Sequence, residues 1–267
     1  MAALKSLRPA VGALIRNPIL IAIVGLFGVV QLPQLALQSS QPLLAALVSL
    51  AITGVMIIVV PFFQGGLLGM ADEALDGETS VDTLLADGKA NYVSLLIAYL
   101  AVFAVNLALG FVSFFVALFG GAGLFALGGQ SNRLGLIVFV GIGLLFVLAY
   151  LLIAFFIQFY GHAIVLSDTD VVDGFKRSLG LVRRNPLSVL GYSALLLVGS
   201  VVFGGVGGVA SILLSPQPTA LPLPELSMPI LAGAAVVYIV AIAVLGAFYA
   251  TYSVAFYRAI DGTRAVY

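Results

Sequence analysis

Cysteine is absent from the 267 residues, which excludes disulfides, thiolate nucleophiles, iron-sulfur clusters and Cys-ligated zinc. Histidine occurs once, at His162, so a His-rich metal site is excluded and a Ser-His-Asp arrangement would depend wholly on that residue. Charge is scarce as well: 8% of residues are Asp, Glu, Lys or Arg, against roughly a quarter in a soluble domain. Eleven basic residues balance eleven acidic ones, so net charge points to neither nucleic acid nor a polyanionic partner.

What replaces charge is hydrocarbon, because 62% of the residues are hydrophobic. A bilayer core takes about 20 apolar residues per helix, and charge-free stretches run over 17–71, 90–132, 134–167, 185–224 and 226–257. Gln38-Ser39-Ser40-Gln41-Pro42 divides the first stretch, and the Gly120–Gly123 and Gly128–Asn132 clusters end the third helix. The pattern predicts one all-α transmembrane domain over residues 1–267, with spans near 18–37, 43–69, 92–119, 134–166, 187–214 and 229–257. Five of the eleven prolines lie between Ser215 and Pro229, predicting an extended connection there. Pro33 and Pro61 are candidate kinks.

With six spans, Lys5, Arg8, Arg16, Lys89, Lys176, Arg177, Arg183, Arg184, Arg258 and Arg264 share one side, and Arg133 faces the other. The excess of Lys and Arg marks the cytoplasmic side, so both termini are expected there, in a cell-membrane protein. The segment through Arg16 is too long for the positive region of an ordinary signal peptide and is expected to be retained. Arg-over-Lys usage with abundant Ala, Gly and Val resembles that of GC-rich, salt-adapted prokaryotes.

A threefold pattern underlies the spans. Leu14-Ile15-Arg16-Asn17-Pro18 matches Val182-Arg183-Arg184-Asn185-Pro186, and Gly88-Lys89-Ala90-Asn91-Tyr92 sits equivalently before the third span. Asp76-Gly77, Asp173-Gly174 and Asp261-Gly262 each follow an even-numbered span. The unit reads as a short cytoplasmic helix plus a transmembrane hairpin. The short helices show helical periodicity: Leu4, Leu7, Val11, Leu14 and Ile15; Val81, Leu84, Leu85 and Tyr92; Val172, Phe175, Leu179 and Val182. Each is expected along the membrane surface, with Thr79 and Asp82 resembling a capping box and Asp173 capping the third.

The run Asp173-Gly174-Phe175-Lys176-Arg177-Ser178-Leu179-Gly180-Leu181-Val182-Arg183-Arg184-Asn185-Pro186, with the Asp-Gly pairs and Asn91-Tyr92-Val93-Ser94-Leu95-Leu96, resembles uncharacterised archaeal multi-pass membrane proteins. These are similar to the membrane-anchoring domain of glycerophosphodiester phosphodiesterases. The resemblance covers nearly the whole chain and implies a six-helix membrane domain. It carries no catalytic residue, because the phosphodiesterase barrel has no counterpart in the sequence.

Few side chains carry chemistry. Asp72, Glu73, Asp76, Glu78, Asp82 and Asp87 are of the type that holds Ca2+ or Mg2+, but their spacing puts Ala74 and Thr83 where an EF-hand loop needs ligands. Helix-cap carboxylates are the simpler reading, and no metal or cofactor is expected. Asn106 falls near the middle of the third span and must face protein or water; a hydrogen bond to Thr53 or a place along a solute path are its two readings. Ser200, Gly204 and Gly208 form a small-residue stripe expected to pack closely, within the chain or in a homodimer. Lys176, Arg177, Arg183 and Arg184 are expected to contact anionic headgroups. Together these favour a non-enzymatic scaffold, assembly or lipid-interacting module, ahead of a small-solute permease or channel and an interfacial lipid-acting enzyme.

Overall fold

The computed structural model describes residues 2–29, 42–126, 133–214 and 228–262, and among these every regular element is helical. In chain order they are α1 (Ala2–Lys5), α2 (Leu7–Arg16), α3 (Ile19–Val29), α4 (Pro42–Asp76), α5 (Val81–Ala90), α6 (Tyr92–Ala126), α7 (Arg133–Ile157), α8 (Tyr160–Leu166), α9 (Val171–Arg184), α10 (Pro186–Leu214) and α11 (Met228–Asp261). Among the described residues four helical stretches are long and apolar enough to cross a membrane: Ala46–Asp76, Tyr92–Gly123, Arg133–Leu166 and Val236–Asp261. Ala2–Arg16 with Ile19–Val29 makes a fifth if that pair, bent by 83°, is one span.

Helix is forced by the solvent the sequence implies. In hydrocarbon every backbone N–H and C=O must find an internal partner, and a continuous α-helix supplies one. That explains one departure from the expected bounds, the run of α6 through Gly120–Gly123 to Ala126. A second is at α4, which contains Pro61 within its expected span and continues beyond residue 69 to Asp76. Pro33 and most of the 215–229 connection lie outside the described residues.

A third departure has a specific cause. The span expected over 134–166 breaks at Gln158–Phe159, between α7 and α8. There the buried Ser178 hydroxyl of α9 donates to the Phe156 carbonyl at 2.8 Å and accepts from the Phe159 amide at 3.1 Å. A side chain inserted into the ladder repairs the break it marks.

The packed core lies at one end of the helices. Phe159, Tyr192, Tyr252, Phe256 and Tyr257 are buried together, with the Tyr192 and Phe256 rings stacked at 4.4 Å. The Tyr252 hydroxyl donates to the Ala3 carbonyl at 3.1 Å, tying the N-terminal helix to α11. Away from this end helices α6 and α7 expose apolar side chains along their length.

α5 folds back antiparallel on the last turns of α4, and glycine permits the approach. A Cβ added at Gly66 would fall inside contact distance of the Leu84 carbonyl oxygen.

Candidate functional site

Charge gathers where the core is. At the end of α11, Arg258 is 5% exposed, and its Nη1 and Nη2 bind the Asp76 carboxylate at 2.8 and 2.9 Å. Its Nε binds Asp72 of the same α4 turn, and Nη2 also donates to the Asp72 carbonyl at 2.8 Å. Three residues later on α11, Asp261 receives Arg177 of α9 through three bonds, from Nη2 at 2.8 and 2.9 Å and from Nε at 3.2 Å. Fork-on-carboxylate geometry fixes orientation as well as charge, so α4, α9 and α11 are clamped at one level. Asp72 and Asp76 thus serve ion pairing and Glu73 accepts from threonine hydroxyls, and among the described residues no group of three or more His, Asp or Glu is arranged to hold a metal ion.

Asparagine stitches the same end. Asn17 donates to the carbonyls of Ala13 and Gly77, both at 3.0 Å, and accepts from the Thr79 amide at 2.9 Å. Asn185 donates to Leu181 and Ile260 carbonyls at 3.2 and 3.5 Å. Asn91 donates to the Asp87 carbonyl at 3.1 Å. Each therefore closes a short helix by bonding back four residues, immediately before a long one begins.

The capping expectations change. α5 is entered from Ser80, and the Thr79 hydroxyl instead donates to Glu73 at 2.8 Å. The cap of α9 is Asp170, whose carboxylate accepts from the Asp173 amide at 2.8 Å. Asp173-Gly174 consequently lies in the first turn of α9, unlike Asp76-Gly77 and Asp261-Gly262 at helix ends. The residues in that position at the end of α8 are Leu166-Ser167, and Asp168 next to them has φ of 50°.

Asp87 on α5 rests against the backbone of Gly69. Burial raises its carboxyl above the ordinary range, and the charges of Asp72 and Glu73 push in the same direction. His162 is buried between Phe159 and Tyr257, ring centroids 5.8 and 5.5 Å away. Among the described residues neither of its ring nitrogens has a hydrogen-bond partner.

The four cations expected at headgroups have the following surroundings. Lys176 pairs with Asp173 at 2.9 Å, Arg177 is bound to Asp261, and Arg184 donates to the Gly180 carbonyl at 3.2 Å. Arg183 is exposed. The face of α9 that packs on α7 and α8 is Gly174, Ser178, Leu181 and Val182, while Val172 is exposed.

Asn106 donates to the Val102 carbonyl at 2.8 Å and Thr53 to the Ser49 carbonyl at 2.8 Å, so the two do not meet. Asn106 instead lines a cavity of about 440 Å³ between α6 and α7, with Ser113, Phe139, Gly143 and Tyr150. Ser200 bonds its own helix at the Leu196 carbonyl, 2.8 Å away. Gly204 and Gly208 have open space where a Cβ would stand.

A family model described as Domain of unknown function (DUF7847) matches residues 1–260. Comparison with curated proteins and with solved structures gives no match.

Proposed function

The chain belongs to the DUF7847 family, and we propose that it is a non-enzymatic module of the cell membrane with six spans. Both termini and the segments 70–90 and 167–187 lie in the cytoplasm. The short helices there form a platform for lipid and for a membrane-protein partner. One observation carries the reading: α1, α2, α5, α9 and the ends of α4 and α11 meet at one end, bringing Lys5, Arg8, Arg16, Lys89, Lys176, Arg177, Arg183, Arg184 and Arg258 with them. Arg133 begins α7, across the α6–α7 hairpin from that end. Basic residues of membrane proteins concentrate on the cytoplasmic side. Arg264 lies outside the described residues.

The platform is built three times over. Asn17, Asn91 and Asn185 occupy the same place in each copy, which supports a threefold unit of short helix plus hairpin. The resemblance to archaeal membrane proteins and to a phosphodiesterase anchoring domain fits a holding role.

The cysteine-free chain makes topology directly testable. Single cysteines at Thr79, Lys176 and Thr219 are exposed to an impermeant thiol reagent on intact cells. Labelling at residue 219 alone is expected; labelling at 79 and 176 with 219 silent reverses the orientation and sinks the reading.

A second reading, a small-solute permease or channel, is favoured by the Asn106-lined cavity. Polar side chains at membrane depth mark solute paths in transporters. Solute flux into vesicles carrying the protein, lost on Asn106→Leu, is its test.

A further inference from the structure

The sequence draws attention to α9 as the basic, lipid-facing helix, but α9 spends its apolar face on α7 and α8 and two of its four cations on carboxylates. The N-terminal helix is built the other way. Ala2–Arg16 stands at 83° to α3, so if α3 enters the bilayer this segment runs along its surface. Its inward face is mostly small: Ala3, Ser6, Ala10 and Ala13 are buried, joined by Leu14, which packs in the core instead of joining the outer apolar stripe, and the small side chains let the helix lie close to α11 and α4.

Its other two faces are unlike each other. Leu4, Val11 and Ile15 recur at helical spacing and are 60%, 44% and 76% exposed. Beside them around the helix come Lys5 and Arg8, with Arg16 about two turns beyond Arg8. Among the described residues no carboxylate pairs with Lys5 or Arg8. Arg16 reaches only the Ala74 carbonyl, at 3.4 Å. The nearby acids are already engaged: Asp72 and Asp76 hold Arg258, and Asp261 holds Arg177. A helix with one face packed on protein, one apolar and one cationic has the cross-section of an in-plane membrane anchor.

We infer that Ala2–Arg16 is an anionic-phospholipid-binding anchor, with Leu4, Val11 and Ile15 in the acyl boundary and Lys5 and Arg8 on headgroup phosphates. The occupant is the bilayer surface itself, because charge complementarity and an apolar stripe adjoin on one helix that is continuous with a membrane-entering segment. The inference rests on the membrane embedding proposed above and assigns the lipid contact to a different helix.

The test uses the full chain in vesicles of phosphatidylcholine with or without phosphatidylglycerol. An environment-sensitive fluorophore is placed at Ile15→Cys and, separately, at Gly12→Cys, where a Cβ meets nothing within 4 Å. Quenching by lipids brominated on the acyl chain is expected at residue 15 and not at residue 12. Lys5→Gln/Arg8→Gln is expected to weaken the protein's preference for phosphatidylglycerol about fivefold per cation removed, and Lys176→Gln/Arg177→Gln to weaken it less. An unquenched residue 15, or an unchanged preference in the Lys5/Arg8 variant, overturns the anchor. Alkaline carbonate separates the two readings: a chain that washes out of the membrane refutes the embedding, whereas one that stays while residue 15 is unquenched refutes the anchor alone.

Discussion

Replacing Gly66 by alanine tests the packing that holds α5 against α4. The added Cβ would overlap the Leu84 carbonyl oxygen, with the carbonyl carbon at 3.0 Å and the Leu84 Cδ1 at 2.7 Å. The Leu84 side chain can rotate away, but its carbonyl belongs to the α5 backbone, so the whole short helix must withdraw by about 1 Å to restore ordinary contact. Overpacking of this kind costs about 1–3 kcal/mol, while alanine regains up to about 1 kcal/mol of helix propensity over glycine. The net expectation is a loss of about 1–2 kcal/mol, or roughly 2–8 °C in Tm for a chain of this size. Gly204→Ala is the control, because open space awaits its Cβ; it should be neutral or slightly stabilising. Thermal unfolding followed by far-ultraviolet circular dichroism in detergent reads both. If Gly66→Ala melts with the wild type while Gly204→Ala melts lower, the α4–α5 approach is not what the structure says, and the Ser200–Gly204–Gly208 stripe is the packed surface.

Three other substitutions probe the same end. Ser178→Ala strips the α7–α8 break of its donor and acceptor, leaving the Phe156 carbonyl and Phe159 amide unpaired; a loss of about 1–3 kcal/mol in the same melt is expected, and an unchanged melt would show the break repairs itself. Arg258→Gln leaves Asp72 and Asp76 without their cation, at a cost of about 2–4 kcal/mol, moderated because Asp76 is partly hydrated; stability equal to the wild type would remove the clamp. Asp87 carries a raised carboxyl pKa from burial and from the charges of Asp72 and Glu73, so the folded state holds that proton to higher pH than the unfolded chain does. Its contribution is most favourable below the ordinary carboxylate range and declines as pH rises through the raised folded value. Asp87→Asn should therefore raise Tm at about pH 7 and change it little at about pH 3; a lower Tm at neutral pH would contradict this sign.

The helices were legible because hydrocarbon leaves the backbone one solution, and a charge-free stretch in the sequence marks where that solution applies. Their ends were less so. Gly120–Gly123 looked like a stop by the rules of water, yet α6 continues through it, since a helix in an apolar surrounding has no solvent to take its bonds. The α7–α8 break was invisible for the opposite reason: its cause, Ser178, sits 22 residues downstream of Phe156 on another helix. Arg258 could be read as a charge at a span end, but its partners Asp72 and Asp76 are more than 180 residues away, and only the fold joins them. The periodicity of α9 points toward Val172, Phe175, Leu179 and Val182; Val182 is buried and Phe175 stacks on Tyr160, but Val172 is exposed and the contact is completed by Gly174 and Ser178, too small to register as a hydrophobic face.

The distribution of burial argues that this protein is a post and platform rather than a uniformly packed bundle. Half of the most apolar window of α11 is buried inside the chain, against none of the corresponding α7 window. α11 is therefore the post, and its lower turns carry Tyr252, Phe256 and Arg258 into the packed end. The ion pairs that cross between elements, Arg258 to Asp72 and Asp76 and Arg177 to Asp261, sit at that end, where water can hydrate the carboxylates in the unclamped state. Placed at mid-membrane the same pairs would bear a desolvation cost larger than their attraction. The α6–α7 hairpin, by contrast, meets its surroundings with mostly apolar side chains and a few polar ones such as Asn106 and Ser113, so its position is set by lipid or by a neighbouring helix instead of by the core. Perturbing the hairpin should leave the platform folded, and perturbing the platform should release the hairpin. Hydrogen exchange on the Asn106→Leu and Arg258→Gln variants separates these cases: protection at α2, α5 and α9 is expected to survive the first and to fall in the second, and loss of protection in both would mean that the two ends fold as one unit.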